Sequence, residues 1–265
     1  MINGKKVILI FGGGINQLEL IKAANDLNII SVVLDPASNP PGNDIADFYY
    51  QVAGNDYETT KHLVIKHEVD GIVTGQMEKP LRLMAKLAKE FGFLFNSPNI
   101  TDCSLNKWLM KAAFQKNKVR CAAGVLFKKE ESIVPESLEN LEYPLIIKPL
   151  DAFSSQGVLK IKNFIDLKNN EKASRSFSKC SSLIVEEFLK GREFSVESLT
   201  FKGKTDIIQI TEKFITPYPF TVEIGHLQPA RLTISERDAI VIEVNKAINA
   251  IGINNCASHA EIILT

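Results

Sequence analysis

The sequence predicts an α/β domain with a parallel sheet, followed by two α+β lobes whose sheets are mostly antiparallel. A strand, a glycine loop, a helix and a second strand succeed one another within residues 7–35, which is typical of a parallel layer. Beyond residue 120 the predicted strands follow one another closely, and the turn Lys202-Gly203-Lys204 indicates a hairpin. The chain has 265 residues, enough for more than one domain at roughly 150 residues each.

The first domain is predicted over residues 1–102 and begins with the strand Val7 to Phe11. The loop Gly12-Gly13-Gly14 follows, and apolar residues then recur at helical spacing from Ile15 to Leu27. Gln17 stands where the dinucleotide fingerprint G-x-G-x-x-G requires glycine, so nicotinamide binding is not expected. Free N–H groups of such a loop at a helix N-terminus can still bind a carboxylate or a phosphate.

The rest of this domain is predicted as helix, strand and helix over residues 56–67, 71–74 and 81–91. We expect Phe93 to Phe95 to close the layer. Turn-forming residues cluster from Asn96-Ser97-Pro98 to Ser104, which indicates a domain boundary.

The two lobes are predicted over residues 103–190 and 191–265. The first opens with a helix in which Lys107 and Lys111 lie four residues apart, a spacing most often found on a solvated lysine face. The second contains a helix with a capping box at Ser235 and Asp238 and an end at Gly252. Strands are predicted at residues 122–127, 143–147, 157–161, 183–188, 193–201, 205–211 and 259–264, with a polar helix between 157–161 and 183–188.

The stretch 143–161 is the first candidate for a binding site. An apolar strand, Leu145 to Ile147, leads to Lys148, Pro149 stops it, and a loop of small and polar residues precedes a second strand. Such a loop lets its N–H groups and hydroxyls approach an anion closely, and Lys148 supplies positive charge. The same residues are equally compatible with a solvated hairpin that carries an ordinary surface lysine.

Composition argues against some classes of partner. Lys plus Arg and Asp plus Glu both number 31, so the formal charge is zero and no general attraction to nucleic acid or to an anionic membrane is expected. The four cysteines form neither a C-x-x-C pair nor a zinc spacing, which favours reduced thiols in a cytoplasmic protein. The apolar run after Lys5-Lys6 is too short for a signal peptide, and no stretch has the length of a membrane span.

Several motifs in a common order resemble the ATP-grasp superfamily of carboxylate–amine ligases, which includes D-alanine–D-alanine ligase, biotin carboxylase and the large subunit of carbamoyl-phosphate synthase. After the glycine-loop domain these motifs are LNKWLMKAAF, YPLIIKPLDAFSSQGV, SLIVEEFLKGREFSVES, ITEKF, VEIGHLQPA and SHAEI. The resemblance covers nearly the whole chain and implies the ATP-grasp fold, in which two α+β lobes clasp ATP. VEIGHLQPA in particular is similar to the carbamoyl-phosphate-synthase-like and amino-acid-ligase-like members.

The resemblance implies a nucleotide site. Lys107 and Lys148 would contact the phosphates of ATP from opposite sides, and Lys213 would add positive charge near them. Glu193 would hold the ribose hydroxyls, and backbone groups of Glu187 and Leu189 would bind the adenine edge, although glutamate pairs at strand ends are also common on charged outer faces. The implied nucleotide-binding residues are Lys107, Lys148, Ser154, Ser155, Gln156, Gly157, Val158, Glu186, Glu187, Phe188, Leu189, Glu193 and Lys213. Phe153 and Ser154 depart from the glycine-rich form of this loop.

The resemblance also implies a metal site and catalytic groups. Glu261 corresponds to a glutamate that binds Mg²⁺, with Mn²⁺ as an alternative, and carboxylate oxygens suit such hard cations. A second metal carboxylate would lie in a following strand, and because the sequence ends at Thr265 we expect a truncated chain. Lys148, Lys213 and His226 are the implied catalytic residues, and His226 is equally compatible with a structural histidine.

The expected function is ATP-dependent activation of a small carboxylate as an acyl phosphate, which an amine then attacks to form an amide. Two alternatives remain: a bicarbonate-using enzyme resembling a carboxylase or carbamoyl-phosphate synthase, and a truncated protein that binds ATP without turnover. The expected partners are small-molecule carboxylate and amine substrates and a second copy in a homodimer, with neither nucleic acid nor membrane.

Overall fold

The computed structural model describes residues 4–152, 155–217 and 222–265. The chain divides into two compact units, Met1–Asp102 and Cys103–Thr265. No helix in these described ranges is long and apolar enough to cross a lipid bilayer. The predicted loop residues Phe153 and Ser154 lie outside the described residues.

The first unit is built on a four-stranded parallel sheet. Its elements are β1 (Val7–Phe11), α1 (Leu18–Asp26), β2 (Ile30–Asp35), β3 (Phe48–Gln51), α2 (Tyr57–Lys66), β4 (Gly71–Thr74) and α3 (Leu81–Phe91), and α4 (Pro98–Leu105) follows at the boundary. The strand order is β3-β2-β1-β4. Leu9 and Ile10 are neighbours on β1 and are both fully buried, because helices cover both faces of a parallel sheet.

Three details of the first unit differ from the sequence prediction. Phe93 to Phe95 forms no strand, and both phenylalanines instead pack against the apolar core. The fourth strand is β3, whose short FYYQ sequence was not predicted as a strand. The predicted turn region from Pro98 onward is helical, as α4.

The glycine loop of the first unit is tightly packed. A Cβ on Gly12 would lie 2.6 Å from the Met77 sulfur, and φ of Gly12 is +98°, so this position requires glycine. The Gly13 N–H donates to Oδ2 of Asp35 at 2.8 Å. Because the Gly13 N–H already donates to Asp35, it is not free to bind an anion.

The second unit contains two four-stranded sheets. Its elements are α5 (Lys107–Lys116), β5 (Gly124–Phe127), β6 (Leu145–Pro149), β7 (Leu159–Ile161), α6 (Phe164–Arg175), β8 (Leu183–Glu187), β9 (Arg192–Phe201), β10 (Lys204–Ile215), β11 (Glu223–Leu227), α7 (Ile234–Ile251) and β12 (Asn255–Leu264). The strand orders are β5-β8-β6-β7 and β11-β10-β9-β12, and every pairing in both sheets is antiparallel.

Each sheet of the second unit packs one face against a helix. In the first sheet Leu145 and Ile147 point into the core with α6, so Lys148 on the alternate side points away from it. In the second sheet Phe194 and Val196 pack under α7, so Glu193 lies on the opposite face. The alternation along each strand thus decides which side carries the candidate site residues.

Helix α7 begins two residues earlier than predicted. The capping box is formed by Thr233 and Glu236, because Glu236 N donates to Thr233 Oγ1 at 3.3 Å and Thr233 N donates to Glu236 Oε2 at 2.7 Å. The predicted pair Ser235 and Asp238 lies inside the helix instead. The C-terminal end is as predicted, since Gly252 adopts the left-handed conformation with φ of +89°.

Candidate functional site

The first candidate cluster lies in the sheet that contains β6 and β8, on the face that points away from α6, where the buried residues Ile146 and Ile184 also lie. Lys148 on β6 donates from Nζ to Oε1 of Glu186 on β8. The two strands are paired so that Ile146 lies opposite Glu186, which puts Glu186 and Lys148 on the same face. The structure therefore joins two residues that the sequence indicated separately.

A second lysine shares the same carboxylate. Nζ of Lys111 on α5 lies 3.1 Å from Oε2 of Glu186 and also donates to the Ala122 carbonyl. The predicted solvated lysine face is therefore wrong for Lys111, whose side chain is only 8% exposed. A buried ammonium requires a carboxylate partner, and here that partner comes from a distant strand rather than from the helix itself.

Lys107 lies at the start of the same helix and holds the beginning of the candidate phosphate loop. Asn106 caps the helix by accepting hydrogen bonds from the N–H groups of Trp108 and Leu109. Lys107 Nζ donates to the carbonyl oxygens of Leu150 at 3.2 Å and Ala152 at 2.6 Å. Lys107 thus lies beside the start of the loop, and its contact with ATP phosphates stays a prediction.

The described part of the loop is a tight turn. Ser155 and Gly157 both have positive φ, and Val158 N donates to Ser155 O at 3.2 Å. A Cβ on Gly157 would lie 2.7 Å from Pro149 and 2.9 Å from Phe177, so the close approach of these side chains requires glycine. Gln156 is exposed, and Ser154 lies outside the described residues.

The implied adenine-binding residues lie at the end of β8 and in the segment that follows it. The Glu187 N–H donates to Ala123 O at 3.0 Å, and the Glu187 carboxylate accepts from Ala123 N at 2.8 Å. Phe188 N donates to Pro144 O at 3.3 Å, and Nζ of Lys160 lies 3.6 Å from the centre of the Phe188 ring. These contacts hold Glu187 at the end of β8 and Phe188 directly after it.

The second candidate cluster lies on the polar face of the other sheet. Lys213 on β10 is paired with Glu193 on β9 and with His226 on β11, and Glu261 on β12 lies opposite Ser195. This register brings all of these side chains to the face opposite α7. The four predicted residues Glu193, Lys213, His226 and Glu261 are therefore neighbours in the structure.

Lys213 is the centre of this second cluster. Its Nζ lies 2.5 Å from Oε1 of Glu223 and 2.7 Å from Oε1 of Glu261, and its side chain is 8% exposed. Burial opposes the charge on Lys213, but hydrogen bonds to both carboxylates outweigh it and raise the pKa of the ammonium. Lys213 is therefore a firmly protonated cation between two carboxylates.

The neighbouring carboxylates respond to this arrangement in opposite directions. Burial raises the pKa of Glu193, and the negative charges of Glu261 and Glu223 raise it further, while Lys213 opposes them. The hydrogen bond from Lys213 lowers the pKa of Glu223, and His226, whose Nε2 lies 3.2 Å from Oε2 of Glu223, acts in the same direction. His226 is thus joined to the cluster through Glu223, a residue that is not among the implied nucleotide-binding, metal or catalytic residues.

We expect the ion pair between Glu223 and Lys213 to make the stability of the protein depend on pH. Because the pKa of Glu223 is lowered in the folded state, the unfolded chain takes up this proton first as the pH falls below about 4.3. The stabilisation is therefore present above that pH and is lost as the pH falls through the folded-state pKa. Urea unfolding at pH 6 and at pH 3.5 measures how much unfolding free energy is lost between the two pH values. This loss should be smaller for Glu223→Gln than for the wild type.

The exposed residue Glu136 supplies the control for that measurement. Glu136→Gln should reproduce the wild-type loss of unfolding free energy between the two pH values. An equal loss in Glu223→Gln would show that the pair with Lys213 contributes nothing to the acid sensitivity.

The chain matches known proteins over most of its length. Residues 141–265 match the family model of the ATP-grasp domain. A formate-dependent phosphoribosylglycinamide formyltransferase of Sulfurisphaera tokodaii is 28% identical over 234 residues, which cover 87% of this chain and 56% of that protein. An alanine–anticapsin ligase of Bacillus amyloliquefaciens is 28% identical over 229 residues, which cover 74% of this chain and 45% of that protein.

The fold is also found among solved structures. N5-carboxyaminoimidazole synthetase from Staphylococcus aureus, in complex with ADP, superposes with a TM-score of 0.81 over 98% of this chain and 66% of that one, at 19% identity. This likeness confirms the predicted fold. The chain spans about half the length of the curated relatives it matches, and the predicted truncation stays a prediction.

Proposed function

Because this chain carries an ATP-grasp domain and belongs to the ATP-grasp superfamily, we propose that it acts as an ATP-dependent ligase on small carboxylates and amines. The observation that carries the proposal is the pair of lysine–carboxylate clusters, one in each sheet of the second unit, on the face that points away from α6 or α7. The segment from Phe188 to Gly191 joins β8 to β9, and so links the sheet that carries Lys148 to the sheet that carries Lys213.

The nucleotide would lie along these two clusters. Its phosphates would contact Lys107, Lys148 and Lys213 and the turn from Ser155 to Val158, and its ribose hydroxyls would bind Glu193. Anionic oxygens are held most strongly by charge-assisted hydrogen bonds from ammonium groups. The S. aureus synthetase, which has the same fold, was solved in complex with ADP, and this supports a nucleotide as the ligand.

The adenine would lie against the segment 186–189. Because the N–H groups of Glu187 and Phe188 already donate to Ala123 O and Pro144 O, we propose that the adenine edge binds the Glu187 carbonyl and the backbone of Leu189. The Phe188 ring is held from one side by Lys160. Backbone groups fixed in this way suit a planar base, whose edge offers both a donor and an acceptor.

We propose that Mg²⁺ binds at Glu261. Oxygens of Glu261 and Glu223 converge on one cation, the Lys213 ammonium, and carboxylate oxygen is the donor type that Mg²⁺ prefers. In the described ranges no three His, Cys, Asp or Glu side chains are arranged to hold a metal ion, so the metal would compete with Lys213 and would depend on phosphate oxygens as well. When bound, it would supply charge neutralisation for the phosphates.

The proposed reaction has two displacement steps. An oxygen of the substrate carboxylate attacks the γ-phosphorus, its new O–P bond forms, and the bond to the ADP oxygen breaks with ADP taking the electron pair. The amine nitrogen then attacks the acyl carbon, and phosphate leaves with the electrons of the C–O bond as the amide forms and a proton is released. Lys148 and Lys213 stabilise the charge on the transferring group, and His226 is proposed to contact the acyl phosphate or the substrate.

We also propose the partners, the assembly and the cellular location of the protein. Small-molecule carboxylates and amines are the proposed partners, with a homodimer as the proposed assembly and the cytoplasm as the proposed location. All four cysteines are free thiols in the structure, which supports a reducing compartment.

Nucleotide binding is the first test. ATP at 100 times its dissociation constant should stabilise the folded protein by about 2.7 kcal/mol, which differential scanning fluorimetry detects as a rise in Tm. ADP release is then measured over a panel of paired carboxylates and amines. ADP formation that requires both a carboxylate and an amine supports the ligase. ADP formation only with bicarbonate would favour the carboxylase alternative, and a rise in Tm with no ADP formed would contradict ligase activity.

A further inference from the structure

Lys111 is a buried charge that the proposed reaction does not use. Its side chain is 8% exposed, and its Nζ donates to the Ala122 carbonyl and pairs with Oε2 of Glu186. The Lys111 ammonium group is therefore not placed to contact a nucleotide directly. Burying an ammonium group costs free energy, and in Lys111 that cost is offset by its contacts with Glu186 and the Ala122 carbonyl.

Lys111, Glu186 and Lys148 form a charged triad in which the exposed fraction of the side chain increases from Lys111 to Lys148. Lys111 is 8% exposed, Glu186 is 12% exposed and Lys148 is 23% exposed, each measured on the side chain. The two ammonium groups bind different oxygens of the Glu186 carboxylate, Oε2 and Oε1 respectively. Lys148 is thus the member of the triad that solvent and ligands reach.

The net charge of the triad depends on Lys111. With Lys111 present, two positive groups share one carboxylate and the cluster keeps one positive charge. Without Lys111, the Glu186 carboxylate would be compensated by Lys148 alone, and the pair would be neutral. Charges this close and this poorly hydrated interact more strongly than they would in water, so the difference acts on any phosphate that binds Lys148.

We propose that Lys111 is a positioning residue for nucleotide binding: it shares the Glu186 carboxylate and thereby leaves Lys148 positively charged toward the phosphates. The inference rests on the proposed nucleotide site. Gly124 is part of the arrangement, because a Cβ there would lie 2.8 Å from the Cβ of Glu186 and would crowd the strand that carries the carboxylate. Lys111 acts through Glu186 and Lys148 and does not touch the ligand.

The test compares nucleotide affinity in three variants. Lys111→Met should weaken binding of the magnesium complex of β,γ-imido-ATP about tenfold, or about 1.4 kcal/mol, by isothermal titration calorimetry. Lys111→Arg keeps the charge and should bind within about twofold of the wild type. Lys111→Gln removes the charge but can still donate to the Ala122 carbonyl and to Glu186, and it should weaken binding as much as Lys111→Met does. Thermal melts establish that each variant is folded.

Adenosine separates a charge effect from damage to the adenine segment. It has no phosphates, so its affinity, measured by competition, should be the same in Lys111→Met as in the wild type. A tenfold loss for adenosine as well, or a Lys111→Gln variant that binds β,γ-imido-ATP as tightly as the wild type, would overturn the inference. Lys111→Gln keeps a donor for the Ala122 carbonyl and Glu186, and it keeps the test valid if Lys111→Met alone unfolds.

The two proposals fail in different ways. Wild-type protein that binds no β,γ-imido-ATP would overturn the proposed nucleotide site together with this inference. Wild-type protein that binds it, with Lys111→Met binding equally well, would overturn the role of Lys111 and leave the nucleotide site standing.

Discussion

Replacing Lys148 by alanine is expected to lower ATP-dependent turnover about 100- to 1,000-fold, measured as ADP release with the active pair of carboxylate and amine. Lys148 projects from β6 on the side away from α6, and its side chain is the most exposed of the triad with Glu186 and Lys111. Phosphoryl transfer depends mainly on positioning and charge neutralisation, so removal of this cation should affect the chemical step as well as binding.

The fold should tolerate the change, because Glu186 keeps its ion pair with Lys111 when Lys148 is removed. The Tm of Lys148→Ala should therefore stay close to that of the wild type. Lys162→Ala is the matched control, since Lys162 is an exposed lysine on the same lobe. Turnover by Lys148→Ala at the rate of Lys162→Ala would remove Lys148 from the active site.

Replacing Glu261 by glutamine is expected to weaken Mn²⁺ binding and to lower turnover about 100-fold. Glutamine keeps the size of the side chain but removes the negative charge that would hold the metal. Glu261 is 67% exposed and lies on β12 with its carboxylate directed at Lys213. Because Lys213 keeps its second partner, Glu223, the substitution leaves no lysine unpaired and should change stability little.

Electron paramagnetic resonance of Mn²⁺ with bound β,γ-imido-ATP measures the metal directly, without relying on turnover. Asp206→Asn is the control, because Asp206 is an exposed carboxylate on β10 of the same sheet. Equal Mn²⁺ affinity in Glu261→Gln and Asp206→Asn would mean that the metal, if it binds, is held elsewhere.

Local patterns predicted most of the fold. The apolar runs at Val7 to Phe11 and Leu145 to Ile147 are strands because such sequences suit a buried extended chain, and Gly252 ends α7 because only glycine adopts its backbone angle without cost. Local patterns failed where two signals competed. Thr233 and Ser235 are both capping residues, and the observed start of α7 uses the pair that has glutamate three residues on.

The candidate site was predictable in part. The motif order picked out Lys148, Glu186, Lys213 and Glu261, and the structure brings them into two clusters. Their roles in binding and catalysis remain predictions. The partners within each cluster could not be read from spacing, since Lys148 and Glu186 are 38 residues apart and Lys213 and Glu261 are 48 apart. Strand register decides these contacts, and register depends on the whole sheet.

The sequence by itself determined most of the strands and helices and the positions of the charged motifs, because these follow from the periodicity of apolar residues and from turn chemistry over a few neighbouring positions. Only the tertiary structure decided which charges are buried and which are shared. Lys111 shows the physical reason: its spacing on α5 is that of a surface lysine, but the cost of its burial is offset by a carboxylate that a distant strand brings to it.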